Sequence, residues 1–599
     1  MILQALVNYY ERKAALGDDS VAPEGWVRRG IDYVVVINEN GECINFDPVF
    51  TKEKGKAVAL DVLLPAIGKQ ALKHSNSGKD ANLLWDNASF VLGRASKSTL
   101  KRKSFISTIE EWLRDCDDAG IDAVKAFCGK LKDKPELADH HLLEKFGLVE
   151  DFEKRDPVMA FRLATDNTMY IHDRPAVRAA YERTRLQSVP DVSYGTCLVT
   201  GDENVPIARN EAVIKNVWGA QTAGTNIVSF NKRAFESYGK CERQGENSPI
   251  SQSASFAYTT ALNHLLRKDS TQRLQVGDSS TVFWAEKPTE LETSIVNIFG
   301  ESTKDDPDRN VRAVASLYKS IDNGLIEKDE GKTRFFVLGL APNAARIAIR
   351  FWHNATVAEM AARVRQHFDD LAIVRAEFDP PYPTLFRLLV SVATQSKAKN
   401  IPPNLGGELM RSVLAGLPYP QTLLAAAVRR IRAEQSKKDD KGRSVQNVTY
   451  VRAALIKACI NRATRNSNSN MKEELKVSLD ESNTNAGYRL GRLFAVLEKI
   501  QEEANPGINA TIRDRYYGAA SSSPVTVFST LLKLKNHHIA KLDNRGRAVN
   551  LEKRIGEIMD GIGDFPAQLP LADQGRFAIG YYHQRQDFFK KHGTSNEGA

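Results

Sequence analysis

YGTCLVTGDENVPIARNEAVIKNVWGAQTAGTNIVSFNKRAFESYGKCERQGENSPISQSASFAYTTALNHLL, residues 194–266, is the stretch on which the reading of this chain turns. It is crowded with Gly, Ser, Thr and Asn, yet it carries Trp218, Phe230, Phe235, Tyr238, Phe256 and Tyr258. That aromatic content is too high for disorder. The density of glycine and small polar residues is too high for a plain amphipathic helix. Gly219, Gly224, Gly239 and Gly245 permit positive φ or close backbone approach. Lys215, Lys232, Arg233 and Lys240 set positive charge between the rings, a mixture suited to phosphates and bases. Gly219 and Gly224 also imitate the spacing of a phosphate-binding loop, but Thr225 and Asn226 stand where that motif needs Lys and then Ser or Thr. Without the lysine, nucleotide hydrolysis is excluded. Backbone amides around Gly224, Thr225 and Asn226 remain candidates to receive a nucleic-acid phosphate.

At 599 residues the chain is too long for one core, so two or three domains are expected. The net charge of +9 favours an acidic partner only weakly at this length. Its distribution says more. Residues 381–470 hold 15 Lys+Arg against 4 Asp+Glu, residues 471–599 hold 18 against 16, and residues 1–380 hold 50 against 54. The surplus therefore falls in one segment, the electrostatic footprint of nucleic-acid binding. Arg429, Arg430 and Arg432 cluster near a helix end there, before the charged, mobile loop AEQSKKDDKGR. Arg452, Lys457, Arg462 and Arg465 follow in VTYVRAALIKACINRATRN, without falling on one helix stripe.

Along the chain, YVVVINENGECINFD (33–47) alternates as a hairpin around Asn-Glu-Asn-Gly. Val58–Leu64 and TVFWAEK (281–287) read as strands, and residues 105–149 as helices. RFFVLGLAPNAARIAIRFWH (334–353) reads as two strands around a turn at Ala341-Pro342-Asn343. The proline-rich DPPYPTLF (379–386) marks a boundary, after which strand signals thin out. Tyr488, Leu490, Leu493, Phe494, Leu497 and Ile500 give one later helix an apolar face, and further helices make a bundle. The predicted fold class is α+β. A mixed α/β region spans 1–380, a basic helical segment 381–470 and a helical bundle 471–599.

Several chemistries lack their residues. The six cysteines are scattered with no C-x-x-C pair, which argues against a zinc site and a disulfide framework. His140-His141 and His537-His538 are adjacent, so neither pair shares a helix face for a metal. His172-Asp173 is a lone HD dipeptide without the further ligands a phosphohydrolase needs. Nothing calls for a cofactor or metal. The opening MILQALVNYYERKAALGDD reads as a short amphipathic helix, not a signal peptide. The longest apolar run contains Asp61 and Pro65, so no membrane span is expected.

The blocks TCLVTG, IKNVWGAQTAGTNIVSFNKRAFESYGK, QGENSPIS and FAYTTALNHLL, in that order and spacing, resemble the Csd family, the large subunit of the type I-C CRISPR surveillance complex. LLWDNASFVLG, FFVLGLAPNAARIAIRFW and GYRLGRLFAVLEKIQEEA extend the resemblance over nearly the whole chain. It implies a cytoplasmic, non-catalytic subunit that joins CRISPR RNA with backbone and foot subunits. It also implies recognition of the PAM on double-stranded DNA, strand opening, support of the displaced single strand and recruitment of a helicase-nuclease. In related subunits, loops of the N-terminal domain read the PAM. Here the polar loop ahead of LLWDNASFVLG offers Lys73, His74, Ser75, Asn76, Lys79 and Asn82. Asparagine suits base edges, and lysine suits phosphates or a guanine edge. Two other classes stay open: a metal-dependent nuclease, which needs clustered carboxylates, and a general single-strand-binding protein.

In that family the closing bundle is also made separately, by internal initiation, as the small subunit. Met471 stands ahead of one complete bundle and is the implied start. Immunoblotting with a C-terminal tag should reveal a short product of the size of residues 471–599 beside the full chain. Its absence removes Met471 as a start.

Overall fold

The computed structural model describes residues 2–17, 20–53, 56–67, 80–93, 98–130, 142–187, 193–240, 244–302, 304–326, 331–467 and 473–589. Lys73, His74, Ser75, Asn76, Lys79, His140, His141 and Met471 lie outside the described residues. The chain divides into two compact units. One is Met1–Asn216, Ala220–His264 and Asn343–Ile347; the other is Val217–Gly219, Leu265–Pro342 and Ala348–Ala599.

The first unit opens with α1 (Ile2–Ala15) and β1 (Trp26–Ile31), β2 (Tyr33–Ile37), β3 (Cys43–Pro48), β4 (Phe50–Glu53), β5 (Lys56–Pro65) and β6 (Trp85–Asn87). After α2 (Ser98–Trp112) and α3 (Ala119–Lys130) come β7 (Val158–Leu163), α4 (Pro175–Gln187) and α5 (Gln252–Leu265). One sheet has the order β1-β5-β4 and a second β3-β2-β7-β6. β2 runs parallel to β7 and antiparallel to β3. Every residue of β2 is buried. A strand covered on both faces reads as a continuous apolar run, and YVVVI is one. The hairpin expected over 33–47 is present, its turn closed by the Gly41 amide donating to the Asn38 carbonyl at 2.9 Å. Gly41 has φ 72°, and a Cβ there would stand 2.4 Å from the Phe127 nitrogen. Only glycine lets α3 approach this turn. Against the second sheet, Phe105 of α2 and Phe127 of α3 pack on Phe161 with ring centroids 6.2 and 5.8 Å apart.

The second unit contains β8 (Arg273–Val276), β9 (Ser279–Ala285), α6 (Glu290–Phe299), α7 (Arg309–Asp322), most of β10 (Arg334–Asn343) and of β11 (Arg346–Thr356), and α8 (Val357–Leu371). The four strands form one sheet in that order, and β9 is buried throughout, as TVFWAEK suggests. β10 continues through Ala341-Pro342-Asn343, to the last residue of the expected turn. The reversal falls instead at Ala344, where φ is 52°. Proline's fixed φ is tolerated in extended backbone, whereas this turn needs positive φ, which proline cannot adopt.

Beyond α8 the described chain is carried by helices: α9 (Leu385–Val392), α10 (Leu405–Ala415), α11 (Gln421–Ala433), α12 (Tyr450–Arg465), α13 (Ala486–Ala504), α14 (Ile512–Ala520), α15 (Phe528–Ile539), α16 (Arg545–Met559) and α17 (Leu571–Asp587). The fold is therefore α+β, with strands confined to the earlier part of the chain. One hydrophobic core draws on residues from Val276 to Tyr582, on both sides of the expected 380/381 and 470/471 boundaries.

α13 and α17 make the closest pair. All six apolar residues expected on the inner face of α13 are buried. Asn485 caps the helix, its side-chain oxygen accepting the Tyr488 amide at 3.1 Å. A Cβ on Gly491 would lie 2.0 Å from the Phe577 carbonyl oxygen, and one on Gly580 would lie 2.0 Å from that of Tyr488. The two backbones thus touch where neither helix has a side chain. Around that contact Phe494, Tyr517, Phe577 and Tyr581 pack with centroids 5.5 to 5.9 Å apart.

Gly491→Ala should force α13 and α17 apart and destabilise the full chain by about 1–3 kcal/mol or more, the range for overpacking. Gly556→Ala in α16, where a Cβ meets nothing within 4 Å, should be neutral or stabilising by up to about 1 kcal/mol. Urea-denaturation midpoints of the two variants check both.

Candidate nucleic-acid interface

The sequence candidates separate once burial is known. Arg452, Lys457 and Arg462 are each about 3% exposed. Asp370, on α8, is the reason for two of them. Arg462 Nη1 donates to Asp370 Oδ2 at 2.9 Å and Lys457 Nζ donates to the Asp370 carbonyl at 3.0 Å. Arg465 donates to the other carboxylate oxygen and also faces Glu474 at 3.3 Å. Arg462 further reaches the Ser412 and Leu417 carbonyls, both at 3.0 Å, and lies over the Tyr419 ring at 4.6 Å. Burial pulls the Lys457 ammonium below its usual range. Glu434 gathers Arg452 at 2.7 Å, Arg430 at 3.4 Å and Lys437 at 3.7 Å. These side chains tie the unit together, and burial takes Arg452, Lys457 and Arg462 out of reach of a polyanion. A charge count along the chain misses this because Asp370 lies outside the basic segment.

What remains exposed is a narrower set. Arg429 and Arg432 sit three residues apart on the outer face of α11, and neither has an ion pair among the described residues. With Ala425, Val428, Ala433, Gln435, Gly518, Leu571 and Gln574 they line a groove of ≈ 590 Å³. Gln435 Oε1 accepts the Gly518 amide at 2.7 Å, which sets the width between α11 and α14.

The segment after α11 turns back on itself as a hydrogen-bonded hairpin. Lys438 bridges Ser444 across a tight reversal, and Val445 donates to the Lys437 carbonyl at 2.9 Å. Asp439 organises it: its Oδ1 accepts the Lys441 and Arg443 amides at 3.0 and 2.8 Å, and its Oδ2 the Arg443 Nε at 2.8 Å. Those bonds, the Arg443 amide foremost, hold the Asp439 carboxyl below its ordinary range. Buried Arg513 on α14 donates to Ser444 and so anchors the hairpin. Lys438 on its paired arm and Lys441 in its turn stay exposed, without an ion pair among the described residues. Elsewhere in the basic segment Lys397, Lys399 and Arg411 are also exposed, without an ion pair among the described residues; only the local charge count pointed to them.

In the first unit, the candidates around Gly224 are occupied by the fold. Thr225 is fully buried, and its amide donates to the Ile214 carbonyl at 2.8 Å while its own carbonyl accepts the Ile214 amide at 2.8 Å. The Gly224 amide donates to Gln221 at 3.0 Å. Gly224 has φ 101°, and a Cβ there would lie 2.9 Å from the Val213 Cβ. The glycine serves a close backbone approach, and the turn has no free amides at Gly224 and Thr225 for a phosphate. Asn226 is half-buried, its carbonyl accepting the Ile347 amide at 2.9 Å. Lys215 is half-buried too, and burial first, then nearby Arg29, lowers its pKa. Asn82 is buried, with its amide on Asp86 Oδ2 at 2.9 Å, so it cannot read a base edge in this conformation. His172 is also buried, its ring stacked on Tyr170 at 5.2 Å, and burial drives its pKa down to about 3. Lys232 and its neighbour Arg233 are exposed, without an ion pair among the described residues.

The loop that carries Lys232 is shaped by Glu211. Its Oε1 accepts the Ile227 amide and the Val228 amide, the latter at 2.9 Å, and its Oε2 accepts the Tyr258 hydroxyl. Beyond it, Arg346 donates to the Ser229 carbonyl at 3.1 Å and Asn231 Oδ1 at 2.9 Å. Its guanidinium lies 4.0 Å above the Phe235 ring.

Among the described residues, no three or more His, Cys, Asp or Glu side chains converge to hold a metal ion. No described helix is long and apolar enough to cross a membrane. A family model described as CRISPR-associated protein (Cas_Csd1) matches residues 6–589. No curated protein matches the chain.

Burial raises the Glu211 carboxyl from 4.5 to about 7, against the lowering effect of its hydrogen bonds. The folded chain therefore holds a proton there that the unfolded chain releases. The resulting stability is full below about pH 4.5 and is lost as pH rises through about 7, by up to about 3 kcal/mol. In Glu211→Gln the fall in melting temperature between pH 5 and pH 8 should shrink.

Proposed function

The chain belongs to the Cas_Csd1 family of CRISPR-associated proteins, and from that premise we propose that it is the non-catalytic large subunit of a type I-C surveillance complex in the cytoplasm. Its partners in this reading are CRISPR RNA, the backbone, foot and small subunits, the target duplex with its displaced strand, and a helicase-nuclease. Residues 1–380 select the site beside the PAM, residues 381–470 contact the strand, and residues 471–599 pack as the bundle. Base pairing to the guide supplies sequence specificity, so the protein needs only a short local readout and a general grip on phosphates.

One observation carries this reading. Arg429 and Arg432 line an open groove, and Lys438 and Lys441 stand on the hairpin that follows α11. All four lack ion pairs among the described residues, while other cations of the same segment are neutralised internally. Unpaired surface cations repel one another unless a polyanion joins them. Such a surface binds single strands largely independently of sequence.

Neutralising Arg429, Arg432, Lys438 and Lys441 together in the assembled complex should weaken strand binding. It should reduce the slope of log affinity against log salt by up to about 3, at roughly 0.7 per phosphate of a single strand. PAM preference should not change. Asn76→Ala or Lys79→Ala should show the converse, altered PAM discrimination at an unchanged salt slope. An unaltered slope in the quadruple variant takes the groove out of the strand's path.

A further inference from the structure

Tyr238 is a residue the fold does not use. It is 98% exposed, and among the described residues it makes no hydrogen bond, ring contact or ion pair. Its φ is 54°, and Gly239 follows at 71°. The Lys240 amide donates to the Ser237 carbonyl at 3.2 Å. Residues 237–240 thus follow the type I′ pattern, with positive φ at both central residues. That pattern selects Asn, Asp or Gly at its first central position. A Cβ in the left-handed region presses on the following carbonyl, and a large ring gains nothing there to offset it.

The turn is also fixed. Asn247 Oδ1 accepts the Ser237 amide at 2.9 Å, and Asn247 Nδ2 donates to the Lys240 and Gln244 carbonyls at 3.2 and 3.0 Å. Lys240 Nζ donates to the Glu246 carbonyl at 2.9 Å. Gly245 seats this clamp, since a Cβ there would lie 1.9 Å from the Ala208 carbonyl oxygen. The ring is therefore held out in water on a rigid base. Ahead of it, Lys232 and Arg233 are exposed without an ion pair among the described residues, and Phe235 already lies under the Arg346 guanidinium.

We propose that Tyr238 is a stacking platform for an unpaired nucleobase, with Lys232 and Arg233 meeting the phosphates of the same strand. The inference rests on the reading that this chain works on nucleic acid. A rigid exposed ring loses little freedom when a base covers it, and every base offers a face to stack on. Strain retained at an exposed position points to use rather than to stability.

The test uses the full chain and a single-stranded oligonucleotide carrying one 2-aminopurine, with the same sequence as a duplex for comparison. Tyr238→Phe should keep the affinity and the fluorescence quench of the single strand. Tyr238→Asn should lose the quench and bind about tenfold more weakly. Its melting temperature should hold or rise, because asparagine fits the turn. Retention of both affinity and quench in Tyr238→Asn overturns the proposal. So does a Tyr238→Asn variant that keeps the quench but no longer joins its protein partners, which would assign the ring to a protein pocket. If the groove variants lose strand binding while Tyr238→Asn is silent, this inference alone fails. If the unaltered chain binds no strand, alone or assembled, the reading beneath it fails as well.

Discussion

A carboxylate taken out of water must be met by positive charge or hydrogen-bond donors, and three of the buried carboxylates of the second unit are met by groups on neighbouring elements. Asp370, Glu434 and Glu498 are all buried. Glu498 accepts Thr511 Oγ1 at 2.8 Å, the Tyr581 hydroxyl at 2.5 Å and Arg585 Nη1 at 2.8 Å. It thereby joins α13, α14 and α17 beside the glycine contact that lets α13 and α17 touch. Asp370 does the same for α8 and α12, and Glu434 for α11 and α12. Breaking any of these pairs from one side leaves an uncompensated buried charge, which is why such partners act as a framework.

That framework also decides what the surface offers. Each buried acid draws nearby cations inward, and the cations it does not reach are left in water. Arg429 and Arg432 point away from Glu434 while Arg430, between them, pairs with it at 3.4 Å. Three consecutive candidates on one helix thus divide into one structural and two available side chains. The hairpin after α11 works likewise: Asp439 holds Arg443 and two amides, and leaves Lys438 and Lys441 without an ion pair among the described residues. The cationic surface is thus what internal pairing leaves over, displayed on elements that this pairing keeps rigid.

The first unit follows the same rule with backbone groups instead of charges. Between Val213 and Val228 the polar backbone meets Ile214, Thr225, Glu211 and Asn263, and glycine allows the close approaches involved. A stretch rich in glycine, threonine and asparagine is therefore a shaped, internally bonded loop system rather than an open phosphate cradle. Tyr238 departs from this pattern, because its turn is held by hydrogen bonds while its ring makes no contact of that kind among the described residues.

Much was legible in the residues alone. Alternation marked the 33–47 hairpin, a continuous apolar run marked β9, and helical spacing marked the inner face of α13, because these signals depend only on neighbours along the chain. The α+β class and the family follow from the same local patterns and motif order. Of the candidate residues, Lys232, Arg429 and Arg432 are exposed, whereas Arg452, Lys457 and Arg462 are internal and Thr225 is buried. Only the tertiary structure separated them. A cation's role depends on whether an acid from a distant element, such as Asp370 for Arg462 across 92 residues, comes within reach, and that distance is set by packing rather than by sequence spacing.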